Sequence, residues 1–167
     1  MWRNLPDVSK YMFTDHAISA EEHAAWFQRV TNDSSYKYWI IVCDGEDVGS
    51  IWLNDIDRRN LRCYWGFYIA DPALRGKGAG SVAWHSVLNY VFEELRLNKL
   101  CGEVLAFNQV AANLHEHFGF VQEGCFRSHV CKGGTMQDVV CFGILRPEWE
   151  QRRPHIESRL RAKGLIA

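Results

Sequence analysis

The stretch YWGFYIADPALRGKGAG, residues 64–80, joins an alternating apolar run to a glycine-rich turn, and a helical pattern follows it. The apolar run predicts a strand that ends at Asp71-Pro72, because proline has no amide hydrogen with which to extend a ladder. Three glycines then fall within five residues, at positions 76, 78 and 80. Glycine weakens regular elements, so this concentration indicates a turn whose backbone needs an unusual conformation or a close approach to another group.

The start of the helix after this turn suits an anion, because its amides are unpaired and carry about half a positive charge. Arg75 and Lys77 add positive charge to the same turn. A Walker loop is excluded because Gly78, rather than Ser or Thr, follows Lys77. A Rossmann fingerprint needs G-x-G-x-x-G after the first strand of a βαβ unit, and this turn reads G-x-G-x-G. The residues alone leave two interpretations, an anion-binding loop or a tight turn with solvated basic side chains.

Composition limits the partners that this chain can be expected to bind. Its 167 residues, 47% of them hydrophobic, are enough for one domain with a well-packed core. The formal net charge of -1 provides no attraction to nucleic acid or to anionic membranes. No stretch has the apolar length of a membrane span, and the N-terminus does not resemble a secretory signal. We therefore expect neither nucleic acid nor a membrane as partner.

The six cysteines are scattered and include no C-x-x-C pair. This spacing is typical of neither a zinc site nor a disulfide scaffold, and several of the cysteines lie in apolar runs. We expect no bound metal and a location in the reducing cytoplasm.

The order of predicted elements indicates a mixed α/β domain with one central, mostly antiparallel twisted sheet flanked by helices. A helix with a capping box at Ser19 and Glu22, and with Trp26, Phe27 and Val30 on one apolar face, precedes three strands of a meander. The predicted strands are 36–43, 48–53, 61–69, 99–107, 120–131 and 136–145, and the predicted helices run from 78, from Asn108 to Phe118, and from Pro147. Pro154 is expected to break or restart the last helix.

Two motifs together resemble the GNAT (Gcn5-related) N-acetyltransferases. Arg75, Gly78 and Gly80 match the pattern Arg-x-x-Gly-x-Gly, and NQVAANLHEHFGFVQEG, residues 108–124, is similar to the helix that follows downstream in that family. The resemblance covers roughly residues 36–145 and agrees with the predicted element order. It implies a GNAT-type acyl-CoA N-acyltransferase fold in a single domain of residues 1–167. Residues 1–35 would cover the substrate, 36–145 would bind coenzyme A, and 146–167 would form a helical tail.

A narrower likeness runs through residues 2–27, 97–108, 118–127 and 144–149. These stretches resemble the PseH-type enzymes, which acetylate the 4-amino group of a UDP-linked amino-deoxyaltrose on the route to pseudaminic acid, for flagellin or another surface glycan. The alternatives are an acetyltransferase of a polyamine, an amino-acid derivative or a protein N-terminus. A non-catalytic acyl-CoA sensor and a protein that binds only UDP are rivals from other classes.

The resemblance implies acetyl-CoA as co-substrate, lying where the strands that end near Ile69 and Phe107 separate. Backbone amides of residues 67–69 would bond the acetyl carbonyl and pantetheine, and residues 75–81 would take the phosphates. The predicted cofactor-binding residues are Phe67, Tyr68, Ile69, Arg75, Gly76, Lys77, Gly78, Ala79, Gly80, Ser81, Asn108 and Asn113. Asn108 is equally well explained as a helix cap.

The catalytic candidates are one general base and several alternative general acids. Glu103 matches a strand glutamate that acts as general base in some family members, and its alternative is a structural carboxylate. His115 stands where many relatives carry the tyrosine that protonates the thiolate, and as imidazolium it could donate that proton; packing is its alternative role. Tyr90, Tyr68 or water are the other candidates for the acid.

The acceptor is expected to be a small molecule, a UDP-amino sugar, bound by the segment that closes over the substrate. The candidates are Arg3, Asn4, His16 and His23, together with Trp65 beside Tyr64 and Tyr68, although aromatic residues at alternate strand positions are usually core. The C-terminal run RRPHIESRLRAKG, residues 152–164, is expected to be a solvated helix, with a homodimer contact as the alternative.

Overall fold

The computed structural model describes residues 2–167, and its strands form one six-stranded sheet with the order β1-β2-β3-β4-β6-β5. Every neighbouring pair is antiparallel except β3 and β4, which are parallel. The strands are β1 (Lys37–Cys43), β2 (Glu46–Asp57), β3 (Arg62–Ile69), β4 (Lys99–Leu105), β5 (Val121–Lys132) and β6 (Thr135–Leu145). The mixed α/β fold with a mostly antiparallel sheet is confirmed.

Five α-helices accompany the sheet: α1 (Pro6–Ser9), α2 (Ala20–Thr31), α3 (Ala79–Asn89), α4 (Gln109–Phe118) and α5 (Arg146–Ala162). A π-helical turn, Tyr90–Glu94, continues α3, and short 3₁₀ turns lie at Trp2–Asn4 and Pro72–Leu74. In residues 2–167, none of the helices has both the length and the apolar character that crossing a membrane would require.

Local signals place the ends of two helices as expected. Ser19 Oγ accepts a hydrogen bond from the Glu22 amide at 3.1 Å and caps α2. Asn108 Oδ1 accepts one from the Ala111 amide at 3.2 Å and caps α4, which ends at Gly119 with a φ of 96°. These caps need only neighbouring residues, so the sequence pattern was sufficient to predict them.

The core lies between the sheet and the helices α3 and α5. The Trp84 side chain of α3 is fully buried, and its ring packs edge-on against Trp65 of β3 with centroids 4.2 Å apart. Trp149, Ile156 and Leu160 bury one face of α5 against the same core. Burying large aromatic side chains is strongly stabilising, so the helices are held firmly on this face of the sheet.

Predictions about two helices, α5 and α2, were wrong. Helix α5 continues through Pro154 without a break. It is also not a fully solvated helix, because its apolar residues are buried in the core. The packing of this face offsets the backbone hydrogen bond that proline cannot make, about 3 kcal/mol in a helix interior. In α2, Phe27 was expected on the buried face but is 56% exposed.

The parallel pair β3–β4 is short, and this shapes the rest of the molecule. Only Arg62–Tyr64 pair with Lys99–Cys101, after which the two strands diverge. Residues 65–69 of β3 keep their partners on β2 but have none on β4. The divergence opens a cleft through the middle of the sheet.

Candidate active site

A cavity of about 560 Å³ lies where β3 and β4 diverge. Its walls come from the N-terminal segment, β2, β3, β4 and α4. The predicted site residues that line it are Arg3, Trp65, Phe67, Tyr68, Ile69, Arg75, Glu103, Asn108 and His115. The structure therefore brings together residues that are more than 100 positions apart in the sequence.

The glycine turn leads into the first turn of α3 beside this cavity. Gly76 and Gly78 have φ values of 79° and 104°, in the left-handed region that favours glycine. A Cβ on Gly78 would also lie 2.5 Å from Leu165 Cδ1, so the Leu165 side chain would have to shift to admit a larger residue. The amides that open an α-helix have no acceptor within it, and this geometry leaves them available to an anion.

Arg75 lies against the end of β3 rather than projecting freely from the turn. Its Nε and Nη2 donate to the Ile69 carbonyl at 3.3 and 3.1 Å, and Nη2 also donates to the Asp7 carbonyl at 3.3 Å. Arg75 thus ties the glycine turn to both the strand and the N-terminal segment.

The free edge of β3 offers backbone groups to the cleft. Phe67, Tyr68 and Ile69 pair with Ile51, Ser50 and Gly49 of β2 on one side only. A strand edge without a partner presents amides and carbonyls that an extended ligand can bond. This is the place predicted for the pantetheine arm and the acetyl carbonyl.

Glu103 is partly buried on β4 and lines the same cavity. Burial raises the pKa of its carboxyl above the ordinary value, and Asp55 adds to the rise while His129 opposes it. A carboxylate with a raised pKa is a stronger base than an exposed one. Its position and basicity are those a general base needs, and its catalytic role stays a prediction.

His115 reaches the cavity but is only 6% exposed. Its ring stacks on Phe142 with centroids 4.9 Å apart, and its Nδ1 donates to the Ala111 carbonyl at 2.8 Å. Burial lowers the pKa of His115 to about 4, despite that hydrogen bond. Burial therefore favours the neutral ring near pH 7, which argues against imidazolium as the proton donor. The catalytic role of His115 stays a prediction.

Tyr90 and Asn113 do not reach the cavity. The Tyr90 ring packs edge-on against Trp39 at 5.0 Å, in a separate groove between β1 and α3. Asn113 is exposed, because it lies two helix positions from Ala111 and His115 and so faces away from the side that lines the cavity. Asn108 lines the cavity while also capping α4.

Three of the acceptor candidates make contacts elsewhere. The Asn4 side chain exchanges two hydrogen bonds of 2.9 Å with the Ile18 backbone. His16 bonds the Glu22 carboxylate at 3.0 Å on the surface. His23 packs on Trp26 with centroids 5.2 Å apart. The sequence could not show that Asn4 and His16 bond within the N-terminal segment or that His23 packs on its own helix, α2.

Trp65 lines the cavity but is 7% exposed and belongs to the core. Its ring lies nearly parallel to that of Phe67, at 5.9 Å, so it is not free to stack on an acceptor. Side chains alternate across a strand, and the cavity face of β3 instead carries Tyr64 and Tyr68.

Several cavity residues were not predicted. Thr14 of the N-terminal segment and Trp52 and Asn54 of β2 line the cavity, and the Trp52 ring lies 6.1 Å from that of Tyr68. Alternation along β2 could have placed Trp52 and Asn54 on one face. No sequence signal indicates Thr14. Within residues 2–167, no group of three or more His, Cys, Asp or Glu side chains is placed to hold a metal ion.

Comparison with known proteins agrees with this geometry. The family described as "Acetyltransferase (GNAT) domain" matches residues 1–121. The acetyltransferase PseH of Campylobacter jejuni subsp. jejuni serotype O:23/36 (strain 81-176) is 33% identical over 132 residues, covering 78% of this chain and 80% of that protein. Spermidine N(1)-acetyltransferase of Escherichia coli (strain K12) is 28% identical over 146 residues, 87% of this chain and 78% of the other.

A solved structure shares the fold. Spermidine N-acetyltransferase from Vibrio cholerae, in complex with CoA and spermine, aligns with a TM-score of 0.82 at 24% identity, covering 89% of this chain and 88% of that one. This likeness concerns the fold, and the family match defines the class of protein. The chain belongs to the GNAT family, which uses acetyl-CoA, and it is an N-acetyltransferase.

Proposed function

We propose that this enzyme transfers acetyl from acetyl-CoA to the 4-amino group of a UDP-linked amino-deoxy sugar, on a route to pseudaminic acid for flagellin or another surface glycan. The observation that carries the proposal is the single cavity that links Arg75 beside the glycine turn to Glu103 and Arg3. The similarity to PseH at 33% identity supports the same acceptor.

Coenzyme A would bind through backbone groups of the glycine turn, which follows the cavity residue Arg75. The first amides of α3, opened by Gly78 and followed by Gly80 and Ser81, would hold the diphosphate. Lys77, exposed at the same turn, adds a positive charge. Asn108 would stand beside the pantetheine arm.

The acetyl carbonyl would lie against the backbone amides of residues 67–69, on the edge of β3 that has no partner on β4. Peptide amides aimed at a developing oxyanion are worth about 2.7–4 kcal/mol per donor. Alignment of the thioester with the amine can lower the barrier by about 7–11 kcal/mol.

Glu103 would act as general base. It would accept a proton from the acceptor amine, whose nitrogen bonds the acetyl carbon as the carbon–sulfur bond breaks and coenzyme A leaves as a thiolate. Tyr68 lines the cavity, and burial raises the pKa of its phenol, so it stays protonated and could supply a proton to that thiolate. Of the predicted acids, it is the one whose position and protonation both suit the task.

The position of Arg3 favours an acceptor that carries negative charge. It lines the cavity, its Nε is buried without a hydrogen-bond partner, and it makes no ion pair with any carboxylate in residues 2–167. The carboxylates that line the described cavity are Asp7, which is paired with Lys10 at 2.8 Å, and Glu103. An unpaired guanidinium suits a diphosphate, whereas a polyamine would need acidic partners.

The experiment is a comparison of acceptors by thiol release from acetyl-CoA. A UDP-4-amino-sugar should be acetylated at least about tenfold faster, in kcat/KM, than spermidine or a peptide amine. Arg3→Met should lower kcat/KM for the UDP-sugar and leave that for spermidine unchanged. Equal or reversed rates would remove the proposed acceptor.

The second candidate is a polyamine acetyltransferase, favoured by the 28% identity to spermidine N(1)-acetyltransferase. Faster acetylation of spermidine in the same assay would select it. A sensor without catalytic activity would bind acetyl-CoA and release no thiol with any amine.

We further propose that residues 1–167 act as one domain and that the reaction takes place in the cytoplasm. All six cysteines are free thiols, which suits a reducing compartment. A homodimer stays an untested alternative, and size-exclusion chromatography with light scattering would decide it.

A further inference from the structure

The N-terminal loop, residues 4–18, forms one wall of the cavity. The two hydrogen bonds between the Asn4 side chain and the Ile18 backbone close its base. Val8, Tyr11 and Thr14 of this loop line the cavity. The loop has only the four-residue helix α1 as regular structure, so contacts from elsewhere must hold it in place.

The tip of the β5–β6 hairpin binds residues 12–15 of this loop through hydrogen bonds. Lys132, the last residue of β5, donates from Nζ to the Met12 carbonyl at 2.9 Å and to the Thr14 carbonyl at 3.2 Å. The same Nζ lies 3.8 Å from Asp15 Oδ1. The Gly133 amide donates to Asp15 Oδ2 at 2.8 Å.

These contacts depend on a lysine in a sheltered position. The Lys132 side chain is only 16% exposed. Its ammonium group makes two hydrogen bonds to carbonyls and one ion-pair contact to a carboxylate, all within one short segment. Gly133 and Gly134, with φ values of 56° and 73°, form the tight turn that presents it. Hydrogen bonds to a charged group are stronger than neutral ones, so this contact can order a loop.

Thr14 connects this contact to the acceptor end of the cavity. Its backbone carbonyl accepts from Lys132, while its Oγ1 accepts from Arg3 Nη2 at 3.3 Å. Within residues 2–167, this is the one hydrogen bond that the Arg3 side chain makes. The ammonium of Lys132 therefore fixes the residue that orients the unpaired guanidinium.

We propose that Lys132 is a positioning residue for the acceptor: it holds the N-terminal loop so that Arg3 faces the acceptor's anionic group. The inference rests on the proposed function for the identity of that group, but the contact itself can be tested without it. Lys132 touches neither substrate, since it lies outside the residues that line the cavity.

The test compares three variants. Lys132→Met removes every donor, Lys132→Arg keeps a cation with several donors, and Lys99→Met is the matched control. Lys99 Nζ also donates to a carboxylate, that of Glu123, at 2.7 Å, and the Lys99 side chain is 28% exposed. Glu123, however, lies on β5 and away from the N-terminal loop.

Steady-state kinetics with the accepted amine should show that the KM for the acceptor changes while the KM for acetyl-CoA does not. Lys132→Met should raise the acceptor KM by about tenfold or more, the equivalent of one lost charge-assisted hydrogen bond. The KM for acetyl-CoA should stay unchanged. Lys132→Arg should restore most of the acceptor affinity, and Lys99→Met should behave as the wild type.

Hydrogen exchange by mass spectrometry gives a second reading that needs no acceptor. Peptides from residues 5–18 should exchange faster in Lys132→Met than in the wild type or Lys99→Met, while peptides from α3 should not change. If no amine is turned over, the proposed function fails while exchange still decides whether Lys132 holds the loop.

Either of two results would overturn the proposal. One is unchanged exchange in residues 5–18 of Lys132→Met. The other is an acceptor KM that is unchanged, or that rises no more than the KM for acetyl-CoA, because a general loss of structure would affect both substrates equally.

Discussion

The two ends of the cavity are built in different ways. The α3 end is the glycine turn that follows Arg75, the last residue of this stretch to line the cavity. It is one continuous stretch of backbone, where Gly76 and Gly78 adopt positive φ and the helix begins at Ala79. The acceptor end uses side chains from the N-terminal loop, β2, β3 and β4, including Arg3, Trp52 and Glu103.

This difference has a consequence for substitution. A ligand site made of peptide groups is damaged by steric bulk and by strained φ, while most side-chain changes leave it intact. A site made of converging side chains depends on each of them and on the distant segments that hold them. We therefore expect the largest effects from a change in backbone conformation at the α3 end, and graded effects at the acceptor end.

The largest effect is expected for Gly78→Glu. A glutamate at this position would be strained by the positive φ of 104°, and its Cβ would lie 2.5 Å from Leu165 Cδ1. Its carboxylate would also repel the diphosphate of acetyl-CoA. Calorimetry should show acetyl-CoA affinity lowered by at least about 100-fold, which corresponds to about 2.7 kcal/mol.

Gly45→Glu is the matched control for that experiment. Gly45 also has a positive φ, 84°, but a Cβ there meets nothing within 4 Å, and it lies at the β1–β2 turn. It should bind acetyl-CoA as the wild type does, with circular dichroism confirming that both variants fold. Unchanged affinity in Gly78→Glu would refute the phosphate-loop assignment.

Glu103→Gln should have the next largest effect, on turnover rather than on binding. Loss of a general base slows turnover by about 10²–10⁴-fold, and the KM for acetyl-CoA should not change. Since burial raises the Glu103 pKa, wild-type kcat/KM should fall as the pH drops through that raised value. The pH profile of Glu103→Gln should not show this acidic fall in kcat/KM. Stopped-time thiol assays between about pH 5 and 9 would measure both.

Glu46→Gln is the control for the loss of one carboxylate, because Glu46 is exposed at the start of β2. Turnover by Glu103→Gln within a few-fold of the wild type would assign Glu103 a structural role.

His115→Phe should have the smallest effect on activity and a distinct effect on stability. Because burial lowers the His115 pKa, we expect a neutral ring that does not donate the proton, so turnover should stay within a few-fold of the wild type. Its pKa of about 4 lies below the unfolded value near 6.5, so its contribution to the free energy of unfolding is complete above pH 6.5 and lost as the pH falls toward 4. The loss is about 3 kcal/mol, at about 1.36 kcal/mol per pKa unit.

Urea unfolding at pH 7 and pH 4 should show that His115→Phe loses less stability between these values than the wild type. His117→Gln serves as control, because His117 is less buried and its pKa is lowered less strongly. If His115→Phe instead turned over substrate at least about 100-fold more slowly at neutral pH, as loss of a general acid would predict, His115 would be restored as a catalytic candidate.

Sequence reasoning succeeded where neighbouring residues decide the outcome. Asn108 and Gly119 begin and end α4, and both follow from the chemistry of single residues at helix ends. It did not show that Tyr90 faces the groove beside β1 rather than the cavity, because a helical pattern does not say which neighbour each face meets. It was wrong for Pro154, because the burial of Trp149 and Ile156 outweighs a local preference.

The sequence by itself determined the class of fold and the glycine turn that opens α3, since glycine conformations and unpaired amides at a helix start are properties of a few adjacent residues. Only the tertiary structure decided that Arg3, Thr14 and Lys132 meet, and that Asn4 and His16 do not reach the cavity. The physical reason is that hydrogen bonding and burial depend on which distant segments come together. The same dependence made His115 neutral, because its pKa is set by aromatic neighbours from other elements.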